Sequence, residues 1–420
     1  MSIRHRRSRA VRAARSKIMH ESIVRRIGLL AMSGALGLVG LSVASGPASA
    51  GPASASDTSY GRAYALGLKA YTYGLPLLIT NRTFHSMTSI NVSNGTGYGP
   101  ANRFNHVRKP ANPADTAVVA QSTTGLSSTA WLTLTTEPQV LHVPRVTNRY
   151  FSFDLIDPYT EDFRDLGTIT GAEPGDYVIA GPGQHHVRIP KGTHRLNVSY
   201  SRIWIIGTTL LKGPNDVANV NKIQNLYTLT PLSNYGTNYH PKRPVHPDTH
   251  INKPPLPTGM RFFDVLGSLL KQFPPPAADH ALLRQLATVG IGPGRTPSHK
   301  SHLDSATRSG LAAAAAAGPA QIQNDVKTLY LAGFATHNGY LLGGFGRYGT
   351  NYDLRAVVAQ IGLGAASSKR TIYALSLADH NLKPLSGAAS YVLHMPTTPP
   401  VKIGWSLAIY TLQGKHSAVA

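Results

Sequence analysis

The sequence predicts an α+β fold, mainly β with a helical connector, in which two β-sandwich-like domains are joined by a helical, Pro-rich segment. Period-two apolar alternation runs from residue 118 to about 211 and returns at residues 401–410. Turn residues break those runs at short intervals, and the 420-residue chain holds 40 Gly and 30 Pro. Consecutive strands are not separated by helices, so a doubly wound parallel sheet is not predicted.

Taken in chain order, the N-terminal segment reads as an address. Arg25-Arg26 precedes the charge-free run IGLLAMSGALGLVGLSVA, and Ala48-Ser49-Ala50 follows as an A-x-A pattern. These are the parts of a secretory signal peptide, with cleavage expected after Ala50 and Ala55 as second choice. The alternative is an uncleaved anchor, since the run is just long enough to span a bilayer. Arg25-Arg26 also suits the twin-arginine route, although Gly28 stands where a bulky apolar residue is usual. Met19 is an alternative start. The protein is therefore expected to be secreted or envelope-associated, with no stable membrane insertion after cleavage.

Ala63, Leu66, Ala70 and Tyr73 recur at helical spacing, and Gly74 and Pro76 are expected to stop that helix. Residues 91–116 read as loop. In RYFSFDLI, Phe151, Phe153 and Leu155 share one strand face; in RLNVSYSRIWII, Leu196, Val198, Tyr200 and Trp204 do so, with Arg202 interrupting. Residues 231–258 form a Pro-rich connector. The helix MRFFDVLGSLLKQF then stops at Pro274, and ADHALLRQLATVG runs from a capping Asp279 to Gly290. An alanine-rich helix follows. In VKIGWSLAIYTL, Val401, Ile403, Trp405, Leu407 and Ile409 line one face of an expected strand. The resulting division is a signal peptide at 1–50, a β-rich domain at 60–232, a connector at 233–320 and an incomplete β-rich domain at 321–420.

Charge and cysteine usage narrow the function. Lys and Arg number 41 against 19 Asp and Glu, for a formal charge of +22. Nine of the basic residues fall in the first 50, but the remainder is still basic, which suits acidic envelope polymers or anionic small molecules. No nucleic-acid-binding motif accompanies the charge, so nucleic acid is not an expected partner. Cysteine is absent, which excludes disulfides, thiolate metal sites and a Cys nucleophile. No cofactor is predicted.

Several motifs coincide in order with a known pair of families. YGLPL, TAWLTLTTEPQVLHVP, RYFSFDLIDPYTEDFRDLGT and GDYVIAGPG resemble bacterial domain-of-unknown-function family 1254. YGTNYDLRAVVAQIGLGA, LSGAASYVLHMPTTPPV and WSLAIYT resemble its usual partner, family 1214. The resemblance implies an exported protein with two sandwich-like domains and helices between, and it implies no reaction. Relatives typically read Val-Val-Ala-Pro-Asn-Asn-Asp-Thr-Leu-Tyr-Ser where this chain reads VVAQSTTGLSS. Thr124 and Gly125 replace Asp-Thr, Ser127 replaces Tyr, and Thr133 replaces a second Asp. Relatives also run on for several strands beyond the WSLAIYT motif, so the chain reads as truncated at its C-terminus.

Candidate chemistry is sparse. Glu137, Asp154, Asp157, Glu161 and Asp162 cluster near Arg149 and Tyr159. Glu137, Asp157, Arg149 and Tyr159 are the catalytic candidates, with an Arg149–Asp157 pair in a cleft as the productive arrangement and a structural ion pair as the plainer one. His246 and His250, with His240 and Asp248, are metal-ligand candidates, set against a solvated basic linker. Arg347, Tyr348, Arg355 and Trp405 are the ligand candidates, since aromatic faces with guanidinium groups suit sugars or anions. GFGRYG at 344–349 reads as a tight turn before the NYDLRA helix, and no serine-hydrolase motif occurs. Three readings follow: an exported protein binding a small or polymeric envelope ligand, a secreted ester or glycosidic hydrolase using carboxylates, or a non-catalytic relative. Whether the chain is an enzyme, and its oligomeric state, are not legible.

Overall fold

The computed structural model describes residues 55–111, 122–299, 303–336, 340–342 and 344–409. The signal-peptide region, residues 112–121 and Tyr410 lie outside them. Two long helices, α1 (Ala55–Met87) and α5 (Ser305–Thr336), pack along each other. Contrary to the expected stop, α1 runs through Gly74 and Pro76, and α5 runs through Pro319. An interior proline costs about 3 kcal/mol. Residues 71–80 of α1 are buried without a break, and burial of a leucine or isoleucine such as Leu75, Leu77, Leu78 or Ile79 returns about 1.5–3 kcal/mol each. Tertiary packing therefore outweighs the local signal. Small residues of α5 serve that packing: an added Cβ on Gly67 of α1 would lie 2.5 Å from Cβ of Ala314, and one on Gly318 would lie 2.4 Å from Cγ of Tyr71 on α1.

Strands β1 (Asn105–His106), β2 (Gly125–Thr133), β4 (Phe151–Ile156), β5 (Asp162–Gly167) and β8 (Arg202–Leu210) form an antiparallel sheet in the order β1-β2-β8-β4-β5. A second sheet has the order β7-β6-β3-β9, from β3 (Gln139–Val143), β6 (Gly175–Ala180), β7 (His194–Asn197) and β9 (Thr228–Pro231), with β6 and β7 parallel. The run expected as one strand over 195–206 is split: β7 and β8 lie in different sheets, joined at 198–201. Between β8 and β9 runs the short helix α2 (Val217–Gln224).

Period two assigns the faces. Ala130 and Leu132 of β2, Phe151, Phe153 and Leu155 of β4, and Ile203 and Ile205 of β8 enter the main core. Leu141, Ile179, Leu196 and Leu229 from the second sheet enter the same core, as do Phe262, Phe263 and Leu266 of α3 (Arg261–Gln272). The far face of the five-stranded sheet carries Trp131 stacked on Trp204, with ring centroids 4.7 Å apart, beside Phe84 and Ile156. Residues 344–370 cover part of that face, and Gly364 packs on Trp204.

Helix α3 ends before Pro274, as expected, and α4 (His280–Ala287) follows. Asp279 does not cap α4 with its side chain; its carboxylate accepts the hydroxyls of Tyr73 at 2.9 Å and Tyr352 at 2.8 Å instead. In the C-terminal region β10 (Tyr340–Leu342) pairs with β11 (Ala374–Ser376), and α6 (Tyr352–Ile361) starts at Asn351, whose side chain accepts the Leu354 N–H. The strand expected at 401–410 is not formed over 401–409, which are mostly exposed and lack a pairing neighbour among the described residues. The α+β class is as predicted, with a larger helical share than the strand patterns suggest. Among the described residues no helix is long and apolar enough to cross a membrane.

Candidate functional site

The catalytic candidates do not meet. The Glu137 carboxylate accepts the backbone N–H of Ser233 at 2.8 Å and its hydroxyl at 3.1 Å. Asp157 Oδ1 accepts the N–H groups of Tyr159 at 2.8 Å and Glu161 at 3.0 Å, closing the β4–β5 turn. Burial pushes Asp157 up to about 7, and those N–H bonds oppose the shift. The Tyr159 hydroxyl donates to the carbonyl of Phe273 at 2.7 Å. Arg149 pairs with Asp216, not with Asp157: Nη2 lies 3.0 Å from Oδ1, and Nη1 contacts Oδ2. The reason is reach, because Arg149 precedes β4 and Asp157 follows it, and that six-residue strand spans roughly 20 Å.

Three of the four ligand candidates come together, around the β4–β5 turn. The 344–349 turn presents the N–H groups of Tyr348 and Gly349 to the Glu161 carboxylate at 2.9 and 3.0 Å. It thus cradles a carboxylate of its own chain. Arg355, buried, places Nη2 3.0 Å from Glu161 Oε1, while its Nε and Nη1 are buried without a hydrogen-bond partner among the described residues. Arg347 Nε donates to the carbonyl of Asp162 at 3.0 Å. Trp405 lies apart, 54% exposed. Gly346 has φ +80°, and a Cβ there would lie 2.6 Å from the Ser367 nitrogen, so this turn requires glycine twice over.

Beside this turn the far face of the sheet gathers Asp154, Asp162 and Asp165, each offering an oxygen within 4.8 Å of the others. Register explains it, because Asp154 on β4 sits directly opposite Asp165 on β5. Arg370 forms a buried ion pair with Asp154 Oδ2, its Nε lies 3.8 Å from Asp165, and its Nη1 donates to the Tyr150 hydroxyl at 3.2 Å. Asp162 Oδ2 accepts the Ser367 N–H at 2.9 Å. Burial pushes Asp154 up to about 7 against the pull of Arg370; burial, then repulsion from Asp154 and Asp165, pushes Asp162 up to about 8. Sequence reasoning singled out Asp154 and Asp162 but not Asp165 or Arg370. Hairpin pairing of two acid-bearing strands was the available signal for Asp165; nothing local marks Arg370.

His246 and His250 sit on the Pro-rich connector, outside the carboxylate cluster. The connector is pinned by its backbone. Asn91 donates from its amide nitrogen to the His246 carbonyl at 2.9 Å and accepts the Asp248 N–H at 2.7 Å. Its own N–H donates to the Asp248 carbonyl at 3.2 Å. Arg103 donates to the Lys242 carbonyl at 3.0 Å, and Ser89 Oγ accepts the Asn252 N–H at 3.0 Å. His240, Lys242, Arg243, His246, His250 and Lys253 are all exposed, and none forms an ion pair among the described residues. Two shallow surface clefts lie elsewhere: one of about 610 Å³ at Arg62, Leu66 and Arg284, the other of about 450 Å³ at Arg261, Asp264 and His299. None of the candidate residues lines either.

Comparison with known proteins finds two family matches and a similar fold. Residues 101–231 match the model of the family described as "Protein of unknown function (DUF1254)", and residues 370–420 match that of "Protein of unknown function (DUF1214)". The chain therefore carries a DUF1254 segment followed by a DUF1214 segment, in the order its motifs predict. The first segment encloses every strand of the two larger sheets, and the second begins at Arg370, the partner of Asp154. The crystal structure of the VPA0106 protein from Vibrio parahaemolyticus is similar, with a TM-score of 0.50 and 17% identity over 73% of this chain and 68% of that one. At that identity the likeness concerns fold alone. No curated protein matches the sequence.

Proposed function

We propose that the protein is an exported binding protein that takes an anionic polymer of the cell envelope on the basic connector, residues 240–253. The observation that carries this reading is the connector itself: its backbone is tied to Asn91, Ser89 and Arg103, while six basic side chains point into solvent. Pro241, Pro244 and Pro247 restrict φ along it, so little backbone freedom remains to be lost on binding. The excess of Lys and Arg that remains beyond residue 50 acts in the same direction, drawing polyanions toward the surface. Arg25-Arg26, the apolar run and the A-x-A pattern support export.

A hydrolase built on Glu137 and Asp157 is the weaker reading, because both carboxylates are engaged with backbone N–H groups of separate turns. Fluorescence anisotropy with labelled long-chain polyphosphate tests the binding reading. Saturable binding that is lost in the Lys242→Ala/Arg243→Ala/Lys253→Ala variant is the expected result. Binding indifferent to those three residues would remove the connector from the account. Export is checked by sequencing the N-terminus of protein recovered outside the cytoplasm, which is expected to begin at Gly51.

A further inference from the structure

We propose that Asp154, Asp162 and Asp165 bind one hard divalent cation, of the calcium or magnesium class, on the far face of the five-stranded sheet. The three carboxylates each offer an oxygen within a 4.8 Å spread, which a calcium sphere with ligands at roughly 2.3–2.6 Å accommodates. Proximity alone is a common feature of acidic clusters. What singles this one out is the state of its oxygens. Asp154 and Asp162 are 3% and 0% exposed, and Oδ1 of all three residues is buried with no hydrogen-bond partner among the described residues. The opposite oxygens of Asp154 and Asp162 are already used, by Arg370 and by the Ser367 N–H. A buried acceptor left unmade costs about 1–3 kcal/mol, and more when charged.

Charge points the same way. Held ionised by a bound cation, the three carboxylates carry three negative charges, and Arg370 is the one buried cation beside them among the described residues. Arg347 reaches Asp165 only at 4.0 Å with its side chain 47% exposed, where water screens it. Two negative charges are left, the complement of one divalent ion. An all-oxygen set selects hard cations over zinc or copper. The bound ion would join β4 and β5 on the sheet side of the contacts made by Gly346, Ser367 and Arg370, and so would brace the segment that crosses into the DUF1214 match. The competing arrangement has the carboxylates sharing a proton among themselves, with no ion.

The test uses the full-length protein, freed of metal with EDTA and exchanged into chelator-free buffer. It is titrated calorimetrically with calcium chloride and, separately, magnesium chloride, alongside thermal unfolding. One equivalent bound, with a rise in Tm, is the expected result. Asp165→Asn should weaken binding by at least about tenfold, with an unchanged circular dichroism spectrum. Glu173→Gln, on the exposed turn between β5 and β6, should bind like the parent. If Asp165→Asn does not fold, Asp162→Asn and tyrosine-sensitised terbium luminescence of the parent, displaced by calcium, decide the matter. The proposal is overturned by no heat, no terbium signal and no Tm shift up to roughly 10 mM cation, a concentration above the range of weak extracellular calcium modules. Equal binding by the aspartate variants and the parent would overturn it as well.

Discussion

Arg370 opens the C-terminal family segment and forms a buried ion pair with Asp154 in the middle of β4, their side chains only 4% and 5% exposed. Breaking such a pair from one side leaves a buried charge without its partner. Arg370→Met should therefore destabilise the fold by about 3–5 kcal/mol in urea. The double variant Asp154→Leu/Arg370→Met should recover part of that loss, since Asp154 no longer lacks its partner while Asp165 still does. Equal destabilisation by single and double variants would mean that the pair acts through shape and not through charge.

Gly318 sets the distance between the two long helices. The Tyr71 ring it faces is itself stacked on Phe262, at 4.1 Å between centroids. Gly318→Ala should cost about 1–3 kcal/mol despite alanine's better helix propensity. The midpoint of denaturant unfolding reads this directly, and a stabilised variant would show that the helices can part.

His106 gives the fold an acid-side slope. Its Nδ1 lies 2.9 Å from Ser128 Oγ, and burial, with a smaller contribution from Arg108, lowers its pKa to about 3. In the unfolded chain the imidazole takes a proton near its ordinary value of about 6.5. Between those two values the unfolded state holds the extra proton, so stability falls as pH drops from about 6.5 toward 3. His106→Asn should flatten that part of the stability–pH curve. The Arg149–Asp216 pair adds a later loss: Arg149 holds Asp216 below the ordinary carboxylate range, and that contribution fades only below about pH 4.

The α+β class, the core face of β4 and the turn at 344–349 were legible because each rests on local pattern: alternation at Phe151, Phe153 and Leu155, and glycines at Gly346 and Gly349. The passage of helices through Pro76 and Pro319 was not, since it depends on neighbours brought in from distant parts of the chain. The same holds for the partner of Arg149, for the hydroxyls on Asp279 and for the approach of Arg370 to Asp154. The alternation at 401–409 predicted a strand, but alternation supplies only one edge and the pairing partner must come from elsewhere. Of the candidate sites, the charge and proline content of the connector could be read directly. Its anchoring by Asn91, a residue about 155 positions earlier, could not.

The most direct test of the central claim is the salt dependence of polyphosphate binding by the processed protein, beside its Lys242→Ala/Arg243→Ala/Lys253→Ala variant. An exposed row of cations predicts affinity that falls steeply as ionic strength passes from low to physiological salt, and a variant with both weaker binding and a shallower slope. Affinity unmoved by salt, or a variant with the parent's slope, would contradict the assignment of the 240–253 connector as the binding surface.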